Sequence, residues 1–203
     1  MSGYNVFSGR SLERLQTLAD GVFAVAMTLL VLDLHLTGAH ATSSSALWHQ
    51  LTRLGPQVAA YALSFSMLGT FWLAEHTLLE RVRQSDRTLA WSVLTFLFVV
   101  TTLPFTASTL ADHVHVRLAV WLYWLSLALL GACLAWQHRH VTRHGLADSG
   151  DPALALIRNR LVLAQAAYAV GALVALVSPV AGVVALAVFQ AFFIVSPRLP
   201  WQV

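Results

Sequence analysis

The sequence predicts an all-α membrane protein with six transmembrane helices, and three observations carry that prediction. Of 203 residues, 58% are hydrophobic and only 10% are charged, against about 25% charged in an ordinary soluble domain, and the mean hydropathy is +0.69. Six apolar segments, 15–36, 56–77, 89–110, 117–137, 156–177 and 180–196, match or approach the ~20 residues a helix needs to cross hydrocarbon. The basic charge is arginine alone, with no lysine and a net charge of +3, and it lies mostly between or at the ends of these segments.

The first segment reads RLQTLADGVFAVAMTLLVLDL from Arg14 to Leu34. The residues before it lack the basic start, apolar core and small-residue cleavage site of a signal peptide, so this run is expected to stay in the protein as a helix. An Asp-Gly pair at Asp20 and Gly21, a mid-depth Thr28 and a second carboxylate at Asp33 have no use in a lipid-facing anchor. A carboxylate in hydrocarbon costs about 3 kcal/mol on insertion scales, so Asp20 is expected to face protein or water. Val25, Leu29 and Leu32 follow at i, i+4 and i+7 on one face, with Thr28 beside them. Such a face suits a core, a lipid boundary or a pore wall.

The first loop ends in ALWHQL, a candidate short interfacial helix, before Pro56 opens the second segment at a position proline tolerates. The loop LLERVRQSDR leads to the third segment, and ADHVHV is short enough to make segments three and four an antiparallel hairpin. Gly, Asp and Pro punctuate the long fourth loop, and Ser178-Pro179 sets a tight joint between segments five and six. Arg10, Arg14, Arg81, Arg83, Arg87, Arg139, Arg143, Arg158, Arg160 and Arg198 fall on one side; Arg53 and Arg117 fall on the other. The positive-inside rule therefore places both termini in the cytoplasm of a bacterial cell, with the chain in the plasma membrane. Trp48, Trp136 and Trp201 lie at segment ends as interfacial residues, while Trp72 and Trp91 are expected to pack between helices. The whole chain, 1–203, reads as one membrane domain.

Several function classes drop out. The arginines form no continuous basic stripe, which argues against a nucleic-acid partner. Cys133 sits alone in an apolar run and is expected to be a small buried hydrophobe, with no disulfide or Cys-based metal motif. His138, His140 and His144 have a spacing that could hold a metal, although among Arg139 and Arg143 they read more simply as a solvated basic helix end. No catalytic triad, carboxylate pair or phosphate-cradling glycine loop is present, so no enzyme and no cofactor are expected. Glu75 and His76, inside the second segment, are either a structural pair or part of a proton relay.

Arg14 followed after three residues by Leu18-Ala19-Asp20-Gly21, and then by VFAVAMTLLVLDL, closely resembles the first-helix pattern of the transmembrane protein 175 family of lysosomal and prokaryotic potassium channels. LSFSMLGTFWLAEH, with Trp72 and His76, resembles that family's second helix. DRTLAWSVLTFLFVVTTLPF, with Pro104 and Phe105, resembles its third. The resemblance implies a homotetramer of six-helix subunits in the lipid bilayer whose first helices line a central pore for potassium ions. It places apolar constrictions at Val25, Leu29 and Leu32, assigns Thr28 to ion preference, and leaves Asp33 near the outer mouth, where its charge would concentrate cations. Asp33 also reads as a helix-end residue solvated among headgroups.

This chain departs from the pattern at four positions. The family's Phe and Ser are Leu18 and Ala19, a second-helix His is Glu75, and a third-helix Asn is Val93. These positions look like the network bracing the first helix, so here Arg14, Asp20, Trp72, Glu75 and His76 are expected to form an altered one, with Arg14 paired to a carboxylate. Two other readings remain: a non-conducting membrane scaffold or subunit, and a proton pathway through Asp20, Glu75 and His76.

Overall fold

A computed structural model describes residues 6–7, 9–36, 42–148 and 150–195. Helix α1 (Gly9–Leu29) continues as a 3-10 turn, Leu30–Asp33; α2 (Ser44–Arg53) and α3 (Gly55–Glu80) follow almost without a break. Then come α4 (Arg87–Asp112), α5 (Arg117–Arg143), α6 (Pro152–Val174) and α7 (Pro179–Val195). A two-residue strand β1 (Val6–Phe7) pairs antiparallel with β2 (Ser85–Asp86), pinning the start of α1 beside the start of α4.

Local chemistry sets the helix starts. Ser43 accepts from the Ala46 amide at 3.2 Å to cap α2, Asp86 from Leu89 at 2.7 Å to cap α4, and Asp151 from Ala153 at 2.9 Å to cap α6. Each satisfies an amide that a helix N-terminus leaves without a partner. Proline occupies the first turn of α3 and of α6, where its missing N–H costs nothing. Pro104 lies inside α4, yet the helix runs on to Asp112; packed neighbours make such a break tolerable in a membrane helix.

The core is organised by α4, which packs on α5, α1 and α3, while α6 and α7 pair with each other and join through α5 and α3. Leu89, Val93, Phe96, Val100, Leu103, Ala107 and Leu110 are all buried. They recur every three or four residues, as in a coiled-coil seam. The facing seam on α5 is Val120, Tyr123, Leu127, Leu130, Leu134, Gln137 and Val141, at the same spacing and also buried. These two seams are the hairpin that the short third loop predicts. Along α6 and α7, small residues let the backbones approach: a methyl group on Gly182 would lie 2.5 Å from the Ala175 Cβ, and one on Gly171 would lie 2.8 Å from Leu186.

Among the described residues, five helices are long and apolar enough to cross a bilayer, within Leu12–Asp33, Gly55–Glu80, Arg87–Asp112, Arg117–Arg143 and Pro152–Val174. The sixth expected span corresponds to α7, which at 17 residues is about 25 Å long at ~1.5 Å per residue. That is short of a ~30 Å hydrocarbon core. The seventh helix is the short α2, which contains ALWHQL and buries no residue. The chain is a multi-pass membrane protein, and its described regular structure is helical apart from the β1–β2 pair and an isolated bridge between Val82 and Ala147.

Three expectations need correction. Trp91 is 58% exposed and does not pack between this subunit's helices, whereas Trp72 does. His138 is buried and bonds the Leu154 carbonyl at 2.8 Å. His140 bonds Asp86 Oδ2 at 2.8 Å with a side chain only 10% exposed, so these two histidines are not solvated, while Arg139, Arg143 and His144 are exposed as expected of a basic helix end. The rings of His140 and His144 lie 4.4 Å apart while His138 is turned to α6, so among the described residues the three do not gather around one point. Cys133 is half-buried against the core. Arg198 and Trp201 lie outside the described residues.

Candidate functional site

Helix α1 has two faces with opposite fates. Ala19, Phe23, Ala26 and Leu30 are buried, and Phe23 meets Phe96 of α4 at a ring-centroid distance of 5.9 Å. On the other side, Leu18, Val25 and Leu29 are uncovered, with Val25 58% exposed, and Leu32 on the 3-10 turn reaches 70%. An apolar face left bare by its own subunit is open to lipid, to a second subunit or to a pore, and Thr28 on it is the feature a purely lipid-facing stripe does not need. All three predicted constriction residues stand on this face.

Thr28 is exposed beside them, and its hydroxyl donates to the Val25 carbonyl at 2.9 Å. With the proton engaged in the helix, both lone pairs of the oxygen are left facing outwards. Thr101 of α4 borders the same shallow depression as Thr17, Gly21, Val25 and Leu29. It was not among the residues expected here; its signal in the sequence is a hydroxyl on the face of the third segment opposite the buried seam.

Asp33 is half-buried rather than fully projecting. It ends the 3-10 turn, its carbonyl accepts from the His35 amide at 3.1 Å, and it borders a crevice with Gln57 and Tyr61.

The brace holding α1 differs from the expected network. Trp72 Nε1 donates to Asp20 Oδ1 at 2.8 Å, tying α3 to α1. His76 stacks on Trp72 at 5.4 Å between ring centroids and 26° between planes, and its Nε2 lies 3.2 Å from Glu80 Oε1. Glu75 points the other way, into the bundle, and is buried. Its partner is Gln137 of α5, whose amide nitrogen, turned towards the carboxylate, lies 2.7 Å from Oε2 and 3.1 Å from Oε1. Turned away, the same nitrogen donates to the Ser92 carbonyl at 3.3 Å.

Arg14 does not join the brace: it is exposed, and among the described residues it pairs with neither Asp20 nor Glu75. Six residues of α-helix put Arg14 and Asp20 about 9 Å apart along the axis and on different faces. Asp20, Trp72, Glu75 and His76 nevertheless line one narrow crevice, with Gln16 and Leu79.

Two further polar anchors were not anticipated. Gln190 of α7 donates to the Ser66 carbonyl at 2.9 Å and to Thr70 Oγ1 at 2.8 Å, and accepts from the Tyr168 hydroxyl at 2.8 Å. Ser64 and Tyr123 share a buried hydroxyl bond of 3.1 Å. The available signal was an amide or hydroxyl in the middle of an apolar run, which a membrane helix carries only where a partner awaits it.

At the opposite end of the bundle from α2, the loops are clasped. Arg83 donates its amide to the Leu146 carbonyl at 2.8 Å and pairs with Asp148, and Arg81 lies 3.5 Å from Asp151. Burial alone would raise the Asp86 carboxyl, but the Leu89 amide and the His140 ring outweigh it and hold its pKa below the ordinary value.

Residues 14–104, which carry α1, α3 and most of α4, match the family described as the endosomal/lysosomal potassium channel TMEM175. A potassium channel of Streptomyces collinus is 35% identical over 165 residues, covering 76% of this chain and 78% of that one. A potassium channel of Chamaesiphon minutus is 29% identical over 144 residues, covering 68% and 70%. The endosomal/lysosomal proton channel TMEM175 of Rattus norvegicus is 34% identical over 96 residues, which are 44% of this chain and 19% of that one. The crystal structure of a TMEM175 homologue from Chamaesiphon minutus superposes with a TM-score of 0.80 at 22% identity, covering 94% of this chain and 100% of that one. These relatives are ion channels, not enzymes, and their extent and likeness establish that this chain belongs to the TMEM175 channel family.

Proposed function

We propose that the chain is one subunit of a homotetrameric potassium-permeable channel in a bacterial plasma membrane, with α1 lining a central pore and α7 serving as the sixth span. The observation that carries this reading is the bare apolar face of α1, with Val25, Leu29 and Leu32 uncovered and Thr28 among them. Four such faces around one axis would form rings of Val and Leu side chains that exclude water and gate by dewetting. A ring of Thr28 oxygens would replace part of a cation's hydration shell. The names of the bacterial relatives support potassium as the permeant ion. Arg81, Arg83, Arg87, Arg139 and Arg143 crowd one end of the bundle while Arg53 and Arg117 mark the other, which supports cytoplasmic termini. Asp33, on the Arg-poor end, would raise the local cation concentration at the outer mouth.

Purified protein in liposomes, with potassium, sodium or protons as the sole permeant cation, tests the reading. Potassium flux that rises several-fold in Val25→Ser, and loses its preference over sodium in Thr28→Val, is the expected result. Fluxes indifferent to both substitutions would remove the pore from α1. No flux at all from well-folded tetramer would favour a non-conducting scaffold.

The proton pathway is a second reading, favoured by one observation: Asp20, Glu75 and His76 border a single crevice. Vertebrate relatives named as proton channels give it weight. Glu75→Gln separates the two, since it abolishes proton flux on the second reading and leaves potassium flux in place on the first.

A further inference from the structure

The arginines crowded at one end of the bundle divide into two groups. Arg81 and Arg83 are neutralised by Asp151 and Asp148 of the facing loop. The other described ion pairs are His140 with Asp86 and His76 with Glu80. None includes Arg87, Arg139 or Arg143, all three of which are exposed.

The unpaired three share a surface. Arg139 and Arg143 follow Trp136 at successive turns along the outer face of α5, with Ala132 and Ala135 deeper towards the middle of the helix. Trp136 is 48% exposed and also borders the hollow at the start of α4, which holds Arg87, Thr88, Trp91 and Asp86, the last bonded to His140. The surface is therefore continuous across two helices. It grades from small apolar residues through two indoles to three cationic groups, along the direction from hydrocarbon to water.

That gradient matches one kind of molecule. Indoles settle at the depth of lipid headgroups and glycerol esters, guanidinium groups bind phosphate in a bidentate geometry, and alanines leave a recess for a chain. A second copy of this chain would have to bury these arginines against carboxylates, and the loop acids at this end of the bundle, Asp86, Asp148 and Asp151, are already engaged. We propose that this surface binds an anionic phospholipid. Its phosphate is held by Arg139 and Arg143 within reach of Arg87, its ester region lies against Trp136 and Trp91, and an acyl chain lies over Ala132 and Ala135. The site is independent of the pore and of which ion crosses it.

Full-length protein in detergent micelles, titrated with phosphatidylglycerol or with phosphatidylcholine of the same chains, allows bound lipids to be counted by native mass spectrometry. Phosphatidylglycerol is expected to be retained in preference to phosphatidylcholine. Arg139→Gln with Arg143→Gln lowers its affinity about 25-fold, at roughly fivefold per juxtamembrane arginine, and leaves phosphatidylcholine unchanged. The corresponding pair of Lys substitutions keeps most of the preference, and Arg158→Gln on α6 keeps all of it. Equal retention of the two lipids by the unmodified protein, or undiminished phosphatidylglycerol binding by the double Gln variant, overturns the proposal. So does a change in the number of subunits per particle in that variant, which would make this face a contact between copies. Should the double variant fail to fold, Arg87→Gln and Arg143→Gln are read singly, each expected to cost about fivefold, and no loss in either overturns the proposal.

Discussion

Trp72 shows how much one donor decides at the residue scale. Its indole N–H supplies the described hydrogen bond of Asp20 to α3, a charge-assisted bond on the subunit's exposed side. Trp72→Phe keeps the ring and removes the donor. It is expected to destabilise the protein by about 1–3 kcal/mol, seen as a lower melting temperature in detergent; an unchanged melting temperature would mean water satisfies Asp20 equally well. Asp86 is the second such residue, because it caps α4 and also holds His140. Its folded pKa lies below the ordinary 3.8, so its stabilisation is complete above that value and fades as pH falls through the lower folded one. Asp86→Ala is expected to cost about 1–2 kcal/mol near neutral pH, with the difference from the unmodified protein shrinking in acid melts. A gap that stayed constant down to about pH 2, below the ordinary carboxylate range, would deny the carboxylate this role.

At the scale of elements, the bundle is held by two kinds of contact. The α4 and α5 seams interlock large side chains at heptad spacing, while α6 and α7 meet through glycine and alanine. The second kind leaves no room for growth: Gly182→Val would press its side chain on the Ala175 backbone, whose nearest atoms lie 2.9 and 3.0 Å from where a Cβ would stand. A loss of about 1–3 kcal/mol is expected, together with proteolytic exposure of the α6–α7 hairpin and little change in α4–α5. Both patterns were present in the sequence, in the apolar spacing of 89–110 and 117–137 and in the small residues of 171–182. The brace was legible only in part. Asp20 and Trp72 could be named from the sequence, but their direct bond depends on how α1 and α3 are rotated, as does the turning of Glu75 away from His76.

At the scale of the whole molecule, the proposed function requires more than one subunit. The subunit's core is closed around α4, yet α1 presents Val25, Leu29 and Leu32 outwards, and α4 presents Phe98 and Phe105. In mild detergent the protein is expected to have a mass near four times its 22.1 kDa, and Leu29→Glu is expected to disturb that assembly or its pore without unfolding the monomer. A stable single-subunit mass for the unmodified protein would contradict the tetramer.

The amino-acid sequence by itself determined the membrane class, the positions of the long apolar helices, the arginine asymmetry and the apolar face with Thr28, because these follow from length, composition and helical period. The tertiary structure alone decided which face of α1 is covered, that Arg14 stays out of the brace, that Gln137 meets Glu75, and that His138 and His140 are spent inside the fold. Hydrophobicity along one helix says that a residue avoids water. It does not say which neighbouring helix receives it, since lipid and protein interior are almost equally apolar; only the packed bundle makes that choice.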